Sequence, residues 1–282
     1  MRLVSFGAPG VEQAGVVRGD RILPVADLLP GCTSVRRILV EGLHDRLAAA
    51  VAAAPAGGLA LDSVRLGPPV TDPGQIICVG LNYHGHAAEQ KAVPPERPLL
   101  FAKGRNTLSG PTDAIVIPDP DCGPDYEVEL AVVLGRPLHR ADATVARAAV
   151  AGFMVANDVS ARRWQKADGQ WFRSKSCDGF LPCGPWLTTA DEVGDERTLR
   201  LTTTIAGERL QDGTPADLIH PVGAVLAWIS RTMRLEPGDL ILTGTPAGVG
   251  VWRTPPRFLR PGEVVECAID RLGALRNPVV AG

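Results

Sequence analysis

The stretch Asp125-Tyr126-Glu127-Val128-Glu129-Leu130-Ala131-Val132-Val133-Leu134-Gly135 decides how this chain is read. Its apolar, valine-rich run ending at glycine predicts a strand, and a strand alternates its side chains between two faces. Glu127 and Glu129 therefore share one face, with Val128 and Leu130 on the other. Two carboxylates one residue apart repel each other, and on a buried face a cation is needed to keep both ionised. A third acid, Asp158, follows the apolar run Ala151-Gly152-Phe153-Met154-Val155-Ala156. Three carboxylates with waters completing an octahedron suit Mg²⁺, Mn²⁺ or Ca²⁺, and do not suit zinc. The alternative is a half-exposed antiparallel strand with a solvated glutamate face. Burial of the two glutamates decides between these readings.

Around this stretch the chain divides by pattern. Residues 1–70 read as a small α+β unit, with short strands at Arg2 to Phe6, Gly15 to Val17 and Arg21 to Val25. Ser34 is the predicted N-cap of a helix running through Val35, Ile38, Leu39 and Leu43 into the alanine-rich run that ends near Pro55. Residues 71–282 show many short β segments between turn residues: Gln75 to Val79, Tyr126 to Leu134, Gly152 to Ala156, Leu199 to Ile205, Leu240 to Leu242 and Glu263 to Ile269. Helices are expected at about Asn82 to Lys91, Val145 to Val150 and Pro221 to Met233. With 25 prolines and 31 glycines in the chain, the class is α+β, a β-rich roll with mixed sheets and no alternating βαβ pattern.

Composition narrows the partners. The 29 basic and 31 acidic residues nearly balance, giving a net charge of −2. That balance offers no electrostatic basis for binding nucleic acid or an acidic membrane. The uncharged stretch Leu47 to Leu61 contains Pro55, Gly57 and Gly58, so no spanning helix is expected. The opening Met1-Arg2-Leu3-Val4-Ser5-Phe6-Gly7 lacks a secretory apolar run, and the six scattered cysteines read as thiols of a cytoplasmic protein. Only four basic residues are lysines (Lys91, Lys103, Lys166 and Lys175), which singles out positions where a compact point charge has a use. Lys103, in Phe101-Ala102-Lys103-Gly104, reads as a side chain snorkelling from an apolar strand.

Four further segments bear on chemistry. In Leu81-Asn82-Tyr83-His84-Gly85-His86-Ala87-Ala88-Glu89-Gln90, His86 and Glu89 stand three apart, on one face if the segment is helical. A carboxylate beside an imidazole fixes its tautomer and raises its basicity, as a general base requires, although the same spacing also gives ordinary surface pairs. His84 lies on another face. The loops Asn157 to Gln165 and Arg173 to Phe180 are dense in amide, guanidinium and ammonium groups that suit an oxyanion, or that serve only as a polar surface. The run Leu242-Thr243-Gly244-Thr245-Pro246-Ala247-Gly248-Val249-Gly250 fits neither a phosphate loop nor a dinucleotide fingerprint. Cys177 has no histidine partner nearby in sequence and reads as a structural thiol.

In order along the chain, these blocks resemble the fumarylacetoacetate hydrolase family over roughly residues 75 to 270. The matching stretches are Val79 to Tyr83, Tyr126 to Leu130, Asn157 to Arg162, Lys175-Ser176 and Glu236 to Gly250. The N-terminal unit looks like that of the longer bacterial members. The resemblance implies a β-rich roll, usually a homodimer, with Mg²⁺ or a similar ion (Mn²⁺ or Ca²⁺) held by Glu127, Glu129 and Asp158. It places a mobile catalytic pair at His86 and Glu89 and a charge-stabilising lysine at Lys175. Arg162, Gln165 and Thr245 match groups that contact substrate. Family substrates are mostly 2-oxo or 2,4-dioxo acids, and the reactions include C–C hydrolysis, decarboxylation and enol–keto isomerisation.

The sequence departs from the family pattern at Cys177-Asp178-Gly179, at Arg163 where an acid is common, and at His220. All three are expected near the pocket. The resulting expectation is metal-dependent hydrolysis of an acylpyruvate-like 2,4-dioxo acid. The alternatives are isomerisation or decarboxylation of an unsaturated 2-hydroxy or 2-oxo diacid, of the 2-hydroxyhepta-2,4-diene-1,7-dioate isomerase type, and a catalytically silent ligand-binding member.

Overall fold

The structure is a computed structural model that describes residues Met1–Gly282. Two antiparallel registers build its centre. Val128–Leu134 pairs with Val150–Asn157, setting Val128 opposite Asn157 and Glu129 opposite Ala156. On its other side it pairs with Leu240–Leu242, which in turn runs parallel to Ile76–Gly80. These strands belong to a 12-stranded mixed sheet. A second sheet of five strands contains Leu201–Ile205, Glu208–Gly213, Val264–Ile269, Gly273–Ala281 and Ile115–Ile117. The architecture is the mixed-sheet α+β roll expected from the sequence.

The central strand is buried throughout, and its two faces serve different cores. Val128, Leu130, Val132 and Leu134 join a cluster of 39 buried residues that includes Leu201, Val265, Ile269 and Leu275 of the five-stranded sheet. Ala131 and Val133 point the opposite way, into a second cluster shared with Leu3, Ile38 and Leu47. The face carrying Glu127 and Glu129 is therefore acidic at the strand's entry and apolar two residues later. A two-residue side-chain repeat allows both in one strand.

The N-terminal strands join the large sheet directly. Arg2–Phe6 pairs antiparallel with Leu181–Thr189, matching Arg2 to Thr188 and Leu3 to Leu187. Hydrogen bonding thus continues across the boundary that composition suggests near residue 70. Ser34 caps its helix as expected, its hydroxyl accepting from Arg37 N at 3.2 Å. The helix expected to run unbroken to Pro55 is two helices, Val35–Val40 and His44–Ala53. Gly42, at φ +61°, takes the left-handed conformation that ends the first. No helix is long and apolar enough to cross a membrane.

Candidate metal and oxo-acid site

The antiparallel register brings the acids together. It places the entry to Val128–Leu134 beside the exit from Val150–Asn157, so Glu127 and Asp158 are neighbours, with Asp158 N donating to Glu127 O at 2.9 Å. Asn157 Oδ1 accepts from Glu127 N at 3.0 Å and holds the two strand ends together. Glu127, Glu129 and Asp158 each offer an oxygen within 4.8 Å of the others, and their exposures are 5%, 2% and 0%. The solvated-face reading is thereby excluded.

Cations are interleaved among these acids. Lys175 Nζ donates to Glu127 Oε2 and Asp158 Oδ2, both at 2.6 Å. Arg162 donates to Asp125 Oδ2 at 2.8 Å and also to Glu127 Oε1, while its Nη1 meets Gln165 Oε1 at 3.0 Å. Lys103 does not snorkel. Its side chain is fully buried and Nζ donates to Asp158 Oδ1 at 2.7 Å. Burial pushes the Glu127 carboxyl up, but Arg162, Lys175 and His86 outweigh it and hold the group below its ordinary value. Burial would likewise lower Lys175, and Asp158 with Glu127 raise it instead.

Glu129 is the exception. Gly244 N donates to its Oε2 at 2.7 Å, and no side-chain cation reaches it. Burial, followed by Asp158 and Glu127, pushes its carboxyl well above the ordinary range. A buried acid that lacks a counter-charge, beside two more oxygen donors, is what a hard divalent cation satisfies. The donor set fits Mg²⁺, Mn²⁺ or Ca²⁺, with Glu127, Glu129 and Asp158 as the residues that would hold it.

The loops above this centre emerge from adjacent strand ends. Because Ile76–Gly80 and Leu240–Leu242 run parallel, the segments after them leave the sheet at the same end. One carries the helix His84–Glu89 and the other the glycine-rich turn. His86 Nδ1 lies 2.5 Å from Glu89 Oε1, and Gln90 Nε2 lies 2.7 Å from His86 Nε2. Only the Gln90 nitrogen has hydrogens to give, so Nε2 accepts and Nδ1 holds the proton toward Glu89. Glu89 Oε2 in turn accepts from Gly248 N at 2.8 Å, tying helix to turn. Asp217 Oδ2 accepts from Gly85 N at 2.9 Å and Asn82 braces His220 and Thr243, fixing the helix entry. His84 is exposed and apart from this network.

A cleft of about 340 Å³ opens over the acids. His86, Gln90, Glu127, Glu129, Arg162, Gln165, Lys175 and Thr245 line it, and Phe101, Trp171 and Trp252 supply apolar wall. The Thr245 hydroxyl donates to Val128 O at 2.9 Å and accepts from Gln211 Nε2 at 2.7 Å, so its proton is committed within the protein. Glu89 and Asp158 stand behind the lining and reach the cleft through His86 and Lys175. Cys177, Arg163 and His220, expected near the pocket, are not among the residues that line it. Arg163 pairs with Asp121 at the surface, and burial raises the Cys177 thiol, consistent with a structural role.

Sequence reasoning passed over Asp125, Gln211 and Asn82. Asp125 is fully buried and accepts from Arg162, from Gly250 N and from Val251 N. Its only signal was its position at the head of the acidic segment. Gln211 supports the central strand by accepting from Val128 N, and no local motif marks it.

Gly248 gives a direct check on how the helix and turn are coupled. Its φ is +103°, and a Cβ there would stand 2.0 Å from Leu210 O. G248A is expected to cost about 2 kcal/mol or more of stability and to lower turnover by loosening Glu89. Thermal unfolding and steady-state rates measure both, and wild-type values for each would show that the tie is dispensable.

The fold and its buried carboxylates define a β-rich roll with a centre able to hold a hard cation. The chain belongs to the fumarylacetoacetate hydrolase family: the family model "Fumarylacetoacetate (FAA) hydrolase C-terminal" matches residues 75–280. It is 40% identical over 287 residues to the mitochondrial oxaloacetate tautomerase Fahd2a of Rattus norvegicus, covering 99% of this chain and 92% of that one. It is 38% identical over 282 residues to the 2,4-didehydro-3-deoxy-L-rhamnonate hydrolase of Sphingomonas sp. (strain SKA58), covering 99% and 96%. Among solved structures, the maleylpyruvate hydrolase of Sphingobium sp. SYK-6, in complex with manganese(II) ion and pyruvate, superposes with a TM-score of 0.84 at 30% identity, covering all of both chains. These relatives are named as enzymes acting on small organic acids.

Proposed function

We propose that the protein is a divalent-metal-dependent hydrolase that cleaves a C–C bond in an acylpyruvate-like 2,4-dioxo acid. The observation that carries this reading is the chain of contacts from Gly248 through Glu89 to His86 at the edge of the acidic centre. It is the arrangement expected of a base that draws a proton from water. The bound ion would supply Lewis-acid polarisation of the 2-oxo group and neutralise the adjacent carboxylate.

The chain's own residues do the rest. Gln90 swings from His86 Nε2, and the imidazole takes a proton from the attacking water while Glu89 stabilises the resulting charge. Two of the three Lys175 protons are spent on Glu127 and Asp158, leaving one for the oxygen of the attacked C4 carbonyl. The Gln165 amide nitrogen is available for the same oxygen, because its Oε1 accepts from Arg162. The water oxygen bonds to C4 and the C3–C4 bond breaks. The electron pair of that bond becomes the C2–C3 double bond of an enolate with its charge on the C2 oxygen, and His86 returns its proton to C3 as the ketone forms.

A second reading is enol–keto isomerisation of a 2-oxo diacid, favoured by the full-length likeness to the rat tautomerase. It uses the same ion and the same His86 proton shuttle, without water. Incubation with Mn²⁺ and, separately, an acylpyruvate and oxaloacetate, followed by NMR, separates them. Two fragments from the acylpyruvate are expected. Enol-to-keto conversion with no fragment from any dioxo acid would replace the first reading with the second.

A further inference from the structure

Asp158, like Glu127, has a cation on each carboxylate oxygen, but both of its cations are lysines. Lys103 takes its Oδ1 and Lys175 its Oδ2, so both oxygens carry an ammonium. Lys103 Nζ also donates to the Val159 carbonyl at 3.2 Å, which anchors the charge to the main chain. Both side chains of this pair are fully buried. No step of the reaction above uses Lys103.

Its consequence is electrostatic. With all four buried carboxylates ionised, as ligation of an ion requires, Asp125, Glu127, Glu129 and Asp158 face three cations (Arg162, Lys103 and Lys175), one negative charge in excess. A divalent ion entering this centre turns the excess positive, and the carboxylate of an incoming acid then restores neutrality. Without Lys103 the ion alone would balance the site. In a buried, weakly screened site, one such charge acts on both arrivals with opposite signs.

We propose that Lys103 is a positioning residue that shifts affinity from the ion to the acid. It weakens the centre's own hold on a divalent cation and leaves the loaded centre positively charged toward an oxo-acid carboxylate. The proposal rests on the acidic triad being a metal centre.

Calorimetric titration of the full chain tests it, with Mn²⁺ first and then oxalate added to Mn²⁺-saturated protein. K103Q keeps a donor for Asp158 without the charge, K103M removes both, and K103R preserves the charge. K103Q and K103M are expected to bind Mn²⁺ at least about tenfold tighter than wild type and oxalate at least about tenfold weaker, with K103R close to wild type. A purely structural role would weaken both ligands together, so the opposed signs are diagnostic. Unchanged or weaker Mn²⁺ binding in folded K103Q overturns the proposal. Should neither neutral variant fold without metal, refolding with Mn²⁺ is expected to recover them, and failure to recover overturns it equally. Failure of the wild type to bind Mn²⁺ is a different result, since it removes the metal centre itself.

Discussion

H86A is expected to cut turnover of a cleaved dioxo acid by about 10²–10⁴-fold, the usual contribution of a positioned general base. Mn²⁺ affinity should stay near wild type, because His86 belongs to none of the three acidic positions. The loss should fall on kcat more than on KM, since the imidazole acts in proton transfer and the carboxylate-binding groups remain. E89Q should produce a smaller loss. The amide offers one acceptor oxygen to two N–H donors, so it keeps only one of the bonds to Nδ1 and Gly248 N, and it no longer stabilises an imidazolium. Stopped-flow or steady-state kinetics on both variants provide the measurement. Undiminished turnover of H86A on every accepted dioxo acid would remove this residue from water activation.

K175M should have the largest effect on folding. Its ammonium bridges Glu127 and Asp158 in a fully buried setting, so the change leaves two carboxylates facing each other without a mediator. Breaking a buried ion pair from one side costs about 3–5 kcal/mol, which in a chain of this length lowers Tm by roughly 10 °C. Where folded protein is recovered, turnover should fall by about 10²–10³-fold, as when one preorganised donor is lost from a developing oxyanion. K175R should not restore activity, because a planar fork cannot replace a point charge seated between two acids. A Tm within about 2 °C of wild type for K175M would mean that the bridge is not a major source of stability.

Much of this site was legible in sequence because strand periodicity is short and strict. Glu127 and Glu129 must share a face wherever the strand lies, and Asp158 ends a second apolar run whose partner the sheet supplies. His86 and Glu89 were legible for the corresponding helical reason. Lys103 was misread because an apolar strand ahead of a lysine looks the same whether the ammonium reaches solvent or a buried aspartate. Asp125, Asn82 and Gln211 act across separations of 37 to 161 residues, through strand neighbours that no local pattern names. Gly42 shows a related limit, since one left-handed residue divided a helix whose apolar spacing was otherwise continuous.

The seam between Arg2–Phe6 and Leu181–Thr189 has a consequence for any shortened form of the chain. Leu181–Thr189 lies next to the strand that delivers Asp158, so residues 1–70 back the wall of the candidate site from behind. Stripped of them, that wall would end in a raw margin of unpaired amides and carbonyls, with Ala131 and Val133 losing their apolar cover from Leu3 and Leu47. Such a margin invites strands from other molecules. The leading segment therefore guards the enzyme against sticking to itself.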